Sequence, residues 1–541
     1  MARANRTSAG AAGLAGVAAV VFGGGVGELV AVVTGTSPVS AVGAAAIDLA
    51  PAWAKDTAIA LFGTADKIAL IIGVIVVLLA VAIGAGLLER RVPPWGRTLL
   101  ALLGLVGVAA AVTRADAGML SWLAPLAAAA AAMFALALLL RRAPAASEPA
   151  VSEPAVSEPA VSEFRLSDPD SASAGPDPRL RLNSDTQPDR RTFLLWTGVT
   201  AGIGVLAALG GTALRAGSQA VATIRDALRL PGATNAVTVP AGAELDVPGL
   251  SPLLTPNADF YRIDTALSVP QIDPAGWSLR IHGLVAQEVT LSWDELLALP
   301  LEESITTLAC VSNEVGGDLI GTAAWLGYPI RELLARAAPD ADADMVLSTS
   351  QDGFTAGTPL EALSDERNAI LAVGMNGEPL PLAHGFPVRM VVPGLYGYVS
   401  ATKWVVDLEV TRFADARAYW TDRGWSERGP IKLESRIDVP RRGANVAAGD
   451  TVIAGVAWQQ HLGVAGVEVQ IDDGAWQQAT LATAISDDTW VQWMLPWRAA
   501  SGSHTIRCRA TNTDGDTQTA ALAPPAPDGA TGWHTIQVSV G

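Results

Sequence analysis

Two cysteines hold most of the metal and nucleophile chemistry open to this 541-residue chain. Cys310 sits in Thr306-Thr-Leu-Ala-Cys-Val-Ser-Asn-Glu-Val-Gly-Gly, where an apolar strand gives way to a polar, Gly-rich loop. Such junctions are where functional groups are displayed, although spacing alone also fits a buried structural thiol. Cys508 reads differently. In His504-Thr-Ile-Arg-Cys-Arg-Ala, Ile506, Cys508 and Ala510 share one face of a strand and Arg507 and Arg509 the other, which makes Cys508 a core residue. Two cysteines in all exclude a disulfide scaffold.

Two further features carry charge beside apolar sequence. Asp189-Arg190-Arg191-Thr192-Phe193-Leu194 precedes a 22-residue uncharged run, Phe193–Leu214. It resembles a twin-arginine export signal; two arginines that simply hold a helix end inside give the same pattern. Glu28 interrupts another apolar run. It reads either as a functional intramembrane carboxylate or as a group near the outer end of its helix, among the lipid headgroups.

The elements that must position these residues follow from composition. The chain is 50% hydrophobic and 16% charged, with mean hydropathy +0.33, yet its net charge is -17. The two figures agree only if apolar and acidic residues occupy different regions. Residues 1–142 have a net charge of +4 and residues 143–541 of -21. A nucleic-acid binder is excluded, because phosphate contacts need a basic surface.

A bilayer core demands about 20 apolar residues. Leu14–Val33, Ile68–Leu88, Thr98–Thr113 and Ala117–Leu140 predict about four helices in a membrane domain over 1–142, and 191–215 a fifth. The stretch Ser40–Asp66, broken by Asp48, Lys55 and Asp56, reads as re-entrant or interfacial. Arg3, Arg6, Arg90, Arg91, Arg97, Arg141 and Arg142 fall on one side if each window crosses once, and Arg114 on the other. The positive-inside bias makes that side cytoplasmic. Residues 143–190, with Ser-Glu-Pro-Ala-Val units from Ser147, Ser152 and Ser157, read as a disordered Pro/Glu-rich linker. The fifth span then carries everything after Leu214 to the outside.

That exported part reads as two domains. Trp277-Ser-Leu-Arg-Ile-His-Gly alternates as a half-buried strand does. Ser292-Trp-Asp-Glu295 is a capping box opening a helix through Leu299, and Pro329 opens another through Leu334. Strands mixed with short helices predict an α+β domain over 250–428. In 429–541, strands at Thr451–Trp458 and Val467–Ile471 and turns at Asp473-Gly474 and Asp514-Gly515 predict an immunoglobulin-like β-sandwich.

Four segments, in order, carry a resemblance: Phe260-Tyr-Arg-Ile-Asp, Cys310 followed by Asn313, His384-Gly-Phe-Pro-Val-Arg389 and Ala401-Thr-Lys-Trp404. Together they resemble the sulfite oxidase family of molybdopterin-dependent oxidoreductases, and Gly455-Val-Ala-Trp458 with Trp490–Trp493 is similar to that family's dimerisation domain. The resemblance covers roughly residues 250–541 and leaves the membrane region outside. The implied architecture is multidomain: N-terminal transmembrane α-helices, an α+β sulfite-oxidase-type molybdopterin-binding domain and the C-terminal β-sandwich.

The resemblance implies that Cys310 supplies the protein thiolate for molybdenum, as suits a soft sulfur ligand. Phe260, Tyr261, Arg262, Ile263 and Asp264 would line the pterin. His384 and Arg389 would bind its phosphate end, Ser400, Ala401, Thr402 and Lys403 would complete that cradle, and Ser350 or Asp352 would hold the pterin from the strand after Met345. Arg262 matches an arginine that binds the substrate oxyanion, while Trp420, Arg423 and Trp425 fall where further pocket residues lie. Sulfite-oxidising members carry basic residues shortly after the ligand cysteine, where this chain has Glu314 and Val315. A carboxylate facing the pocket would repel sulfite.

The implied reaction is oxygen-atom transfer on the outer face of the membrane. His282, His384, His461, His504 and His534 all follow the last span, and no Cys-x-x-Cys-His occurs. No haem is therefore expected in the membrane helices, and electrons would pass to a separate electron-transfer protein. A homodimer, a reductase of an S-oxide or N-oxide, and a non-catalytic binding module that kept the sandwich complete the expectations.

Overall fold

In the computed structural model, residues 8–50, 57, 66–114, 117–144, 190–216 and 220–541 are described. They fall into two units, one helical, from residues 8–46, 66–113 and 117–216, and one rich in strands, from 220–541 with residues 47–50, 57 and 114.

Each predicted apolar window holds a helix: Ala9–Thr34, Asp66–Arg91, Trp95–Val112, Leu123–Arg141 and Arg190–Ala216; the fourth starts six residues later than Ala117, the first residue of its window. Among the described residues these five are long and apolar enough to cross a membrane. Ser8 starts the first by accepting the Ala11 N–H, and Gly35 ends it at φ +76°. That first helix is central, packed on the helices Asp66–Arg91, Leu123–Arg141 and Arg190–Ala216. Glycine lets the backbones meet. A Cβ on Gly16 would collide with the Ala82 carbonyl, and one on Gly86 with that of Ala12. Close approach of small residues is how helices associate where lipid removes the hydrophobic drive. Gly86→Leu is expected to cost about 1–3 kcal/mol through overpacking, read as a lower melting temperature of the detergent-solubilised chain.

Ser40–Asp66 overlaps the short helix Pro38–Leu49, which begins two residues before it; beyond Ala50 all but Thr57 and the helix start at Asp66 lie outside the described residues. So do Asp189 of the paired-arginine motif and all of the linker except 143, 144 and 190. Glu28 lies within two turns of the C-terminal end of its helix. Its carboxylate is buried and accepts the Ser37 hydroxyl at 2.6 Å.

In the second unit, the strands of the first part are β1 (Ser278–Gly283), β2 (Val289–Ser292), β3 (Glu302–Ala309), β4 (Ile320–Pro329), β5 (Met345–Ser350), β6 (Thr355–Pro359), β7 (Ile370–Met375), β8 (Glu378–Pro379), β9 (Arg389–Val391) and β10 (Val405–Thr411). They form a sheet of order β2-β1-β10-β5-β6, in which β1 and β10 are parallel, and a sheet of order β3-β4-β7-β8 with β9 on β7. The Ser292–Glu295 capping box is present, and its helix spans Trp293–Leu297, ending two residues early. The helix expected from Pro329 spans Ile330–Ala337 instead. Pro329 is the last residue of β4, so it caps rather than begins the helix, and burial of Leu333, Leu334 and Ala337 extends it by a turn.

The sandwich strands are β11 (Glu434–Val439), β12 (Asn445–Val446), β13 (Gly449–Trp458), β14 (Val464–Ile471), β15 (Gln477–Gln478), β16 (Thr480–Leu481), β17 (Val491–Ala499), β18 (Gly502–Asn512) and β19 (Thr535–Val540). Their sheets, β11-β13-β17-β16 and β12-β19-β18-β14-β15, enclose Ile453, Val467, Val469, Trp493, Ile506 and Cys508. Alternation on β18 puts Ile506, Cys508 and Ala510 inside and leaves Arg507 and Arg509 half-buried on the other face.

Candidate functional site

β3 delivers Cys310. Its residues from Ser304 to Ala309 are buried against β4, and Cys310 is the first residue past the strand, 8% exposed. The loop behind it closes on itself. Cys310 N–H donates to Leu319 O at 2.9 Å, Asn313 N–H donates to Cys310 O at 3.0 Å, and Asn313 Oδ1 accepts the Leu319 N–H at 2.9 Å. Burial pushes the Cys310 thiol up, while hydrogen bonds from Ser312 and the nearby Lys403 charge pull it down. A bound cation is what would make such a thiol a thiolate.

A second group of residues gathers from three distant segments. Gly385, at φ +113°, turns the chain tightly enough that a Cβ would strike Arg389 and Lys403. A bridge then pairs Arg389 with Lys403. The Arg389 guanidinium is buried over the Trp325 ring at 5.0 Å and donates to the carbonyls of His384 (3.2 Å), Met390 (3.3 Å) and Ala401 (3.5 Å). Among the described residues no carboxylate pairs with it. Lys403 Nζ pairs with Asp264 at 2.6 Å, and Arg262 shares that carboxylate at 2.9 Å. His384 Nε2 lies 3.3 Å from Asn257 O.

The pocket therefore holds more buried positive charge than negative. Burial, then the charges of Arg389 and Lys403, lower His384 to about 4. Burial lowers Arg389 to about 10, and lowers Lys403 to about 8 against the pull of Asp264. Cations held in low dielectric without full compensation are a built site for an anion, and a guanidinium suits the bidentate geometry of a phosphate.

The other expected residues divide. Phe260 stacks on Tyr261 with centroids 5.2 Å apart and meets Trp325 and His384 edge-on, so the aromatic pair floors the cationic pocket. Burial, followed by the proximity of Cys310, raises the Tyr261 phenol. Ile263 is 42% exposed beside them. Ser350 and Asp352 shape the β5–β6 turn, and Gln351 N–H between them donates to Trp404 O at 2.8 Å. Ser400 and Thr402 turn inward: Ser400 Oγ donates to Tyr396 O at 2.9 Å and Thr402 Oγ1 meets Ser348 Oγ at 2.7 Å. Their hydroxyls brace the segment that presents Ala401 and Lys403. Trp425 packs with Trp420 (6.2 Å) and Tyr398 (6.0 Å), and Arg423 lies over the Tyr419 ring at 3.5 Å. Glu314 is exposed, and Val315 lines a cavity of about 630 Å³ with Arg442, Trp533 and His534. Trp325, Asn257, Glu434 and Arg436 were missed, since no local pattern distinguishes them from ordinary core or strand residues.

A family model described as "Oxidoreductase molybdopterin binding domain" matches residues 266–420. Mitochondrial sulfite oxidase of Mus musculus is 32% identical over 271 residues, 42% of this chain and 49% of that protein. The uncharacterized oxidoreductase YuiH of Bacillus subtilis (strain 168) is 32% identical over 157 residues, 29% of this chain and 76% of YuiH. The chain belongs to the sulfite oxidase family of molybdopterin oxidoreductases. It spans about half the length of the sulfite oxidases it matches. Among solved structures, the sulfane dehydrogenase SoxCD of Paracoccus pantotrophus aligns at a TM-score of 0.47 and 21% identity, over 53% of this chain and 81% of that one. A sulfite-oxidase-family enzyme needs a molybdopterin site, and the donor set suits one. A soft sulfur stands at Cys310, and the buried cations Arg389 and Lys403 leave positive charge for a phosphate.

Proposed function

We propose that this chain is a membrane-anchored oxidoreductase, with its molybdopterin domain at 250–428 and its sandwich at 429–541, in which Cys310 holds molybdenum and Arg389, Lys403 and His384 hold the phosphate end of the pterin. The excess of buried positive charge around Arg389 carries this reading. Bound there, the cofactor supplies two-electron oxygen-atom transfer with a small molecule.

The chain's own residues do the rest. Phe260 and Tyr261 form an apolar floor that keeps water from the anion. Asp264 orients Lys403 and Arg262 through one carboxylate, with Ile263 beside it. Ala401 presents its carbonyl to Arg389, Ser400 and Thr402 brace that strand, and Ser350 and Asp352 hold the β5–β6 turn against Trp404. Arg262, held by Asp264 but with a side chain 39% exposed, is the cation placed to meet an oxyanionic substrate, and Trp425 shapes the approach. Exposed Glu314 and Asp318 on the Cys310 loop would disfavour dianionic sulfite. The arginine bias supports an extracytoplasmic catalytic part, Arg190 and Arg191 support twin-arginine export, and a separate electron-transfer protein would take the electrons. Molybdenum and pterin phosphate in equal amounts in the purified full-length chain are the expected result; their absence would falsify the reading.

A pH dependence follows from Lys403. Its value of about 8 lies below the usual 10.5, so the empty folded pocket resists its protonation as pH falls from 10.5 to 8. An anion prefers the charged form, so affinity is greatest below about 8. For inorganic phosphate and the cofactor-free protein, affinity should fall by up to about tenfold per pH unit above 8, one proton being linked to binding. Titration calorimetry checks this, and Lys403→Met should flatten the profile.

A further inference from the structure

The Cys310 loop is held largely by the C-terminal sandwich. Glu434 and Arg436, two residues apart on β11, face the loop, and Ser435 between them points into the sandwich core, donating to Gln518 Oε1 at 2.8 Å and lying 3.2 Å from Cys508 Sγ. Arg436 Nη1 donates to Gly317 O at 2.8 Å. Its remaining nitrogens are fixed by Asp438 (2.7 Å) and Ser251 Oγ (2.9 Å), so the guanidinium is oriented before it meets the loop. The Glu434 carboxyl, 3% exposed, lies at the side chain of Asn313, the residue that closes the loop onto Cys310 O and the Leu319 N–H. His534 Nδ1 accepts the Ile437 N–H at 3.0 Å, and its ring fills the space a Cβ on Gly316 would need. On the upstream flank, Thr307 N–H donates to Asp488 O at 3.0 Å, and Thr307 accepts from Trp490 N–H (2.8 Å) and Gln460 Nε2 (3.0 Å).

We propose that β11 is the positioning element for the Cys310 thiolate, with Arg436 and Glu434 setting the conformation of residues 310–319 from the neighbouring sandwich. The proposal rests on Cys310 being the molybdenum ligand, and it gives the sandwich an intramolecular task beside any role in dimerisation. Burial pushes Glu434 up to about 8, against the Asn313 side chain and the charges of Lys432 and Arg436, so it is a neutral acid at pH 7. Lys432 is itself paired with Asp528 at 2.9 Å, and the Tyr396 phenol is the other titratable group facing Glu434. A neutral acid beside Asn313 adds no negative charge next to a metal thiolate.

The two cysteines provide the test, because Cys508 in the sandwich core reports on the fold independently of Cys310. The full-length chain, prepared without molybdenum, is treated with iodoacetamide and the alkylation of each cysteine followed by mass spectrometry. Arg436→Gln, through loss of its hydrogen bond to Gly317 O, and Glu434→Met, through loss of the buried carboxyl packed at Asn313, should each speed alkylation of Cys310 about tenfold, with Cys508 unchanged. Arg436→Lys and Glu434→Gln should return part of the protection. In the loaded enzyme, both disruptive variants should shift the thiolate-to-molybdenum absorption band. Wild-type Cys310 rates and an unshifted band in both would overturn the proposal. If one variant speeds both cysteines equally, it has lost the fold and the other decides. A Cys310→Ser chain that keeps the wild-type band would instead remove the ligand reading, and the alkylation result would stand separately for the loop.

Discussion

Replacing Cys310 with serine is expected to lower turnover of any substrate the wild type accepts by more than about 100-fold. Groups that only support a metal ligand already cost 10–100-fold when changed. Serine matches the thiol in shape, so β3 and the loop closed by Asn313 should persist. Its hydroxyl, however, does not ionise in this range, and soft sulfur is what the metal would lose. Cys508 offers no substitute: it is fully buried in the sandwich, where burial pushes its thiol to about 12. Cys508→Ala should therefore leave turnover unchanged. The cationic pocket is untouched by either change, so pterin phosphate should remain in the serine variant while the thiolate-to-molybdenum absorption disappears. Wild-type turnover and absorption in Cys310→Ser would sink the assignment.

Arg389→Met should weaken retention of the pterin by about 30-fold or more. Removing one partner of a buried, charge-assisted contact costs about 2–5 kcal/mol, and 1.4 kcal/mol is tenfold. The effect on the cofactor-free protein should be far smaller. Burial lowers Arg389 to about 10, so the folded pocket carries a cation it disfavours, and its three carbonyl contacts are long, at 3.2–3.5 Å. Methionine fills a similar volume over Trp325 without that charge. The melting temperature of the cofactor-free variant should stay within about 2–4 °C of wild type, the shift expected for about 1 kcal/mol. Arg389→Lys should be intermediate, keeping charge and losing the fork. Equal destabilisation with and without cofactor would make Arg389 a structural residue only.

Much of the molecule was legible as local pattern. Apolar run length identified the helices from Ala9–Thr34 to Arg190–Ala216, because a bilayer imposes a fixed length on any crossing segment. Alternation placed Cys508 inside β18, and Ser292 with Glu295 marked a helix start, because both signals lie within a few residues. The position of Cys310, one residue past an apolar strand, was equally visible. What spacing could not say was which side chains its neighbours would be.

Tertiary structure decided that. Asp264 meets Lys403 across 139 residues, and Arg436 reaches Gly317 across 119. No periodicity encodes such a pairing, since it depends on how two sheets and a sandwich come to rest on one another. The segment 400–403 shows the difference within four residues. Sequence assigned all of them to the cradle, whereas Ser400 and Thr402 bond into the interior and Lys403 reaches Asp264. Buried charge likewise exists only in the folded chain: Arg389 and Lys403 are ordinary cations in sequence, and become buried ones only once the fold removes water from around them.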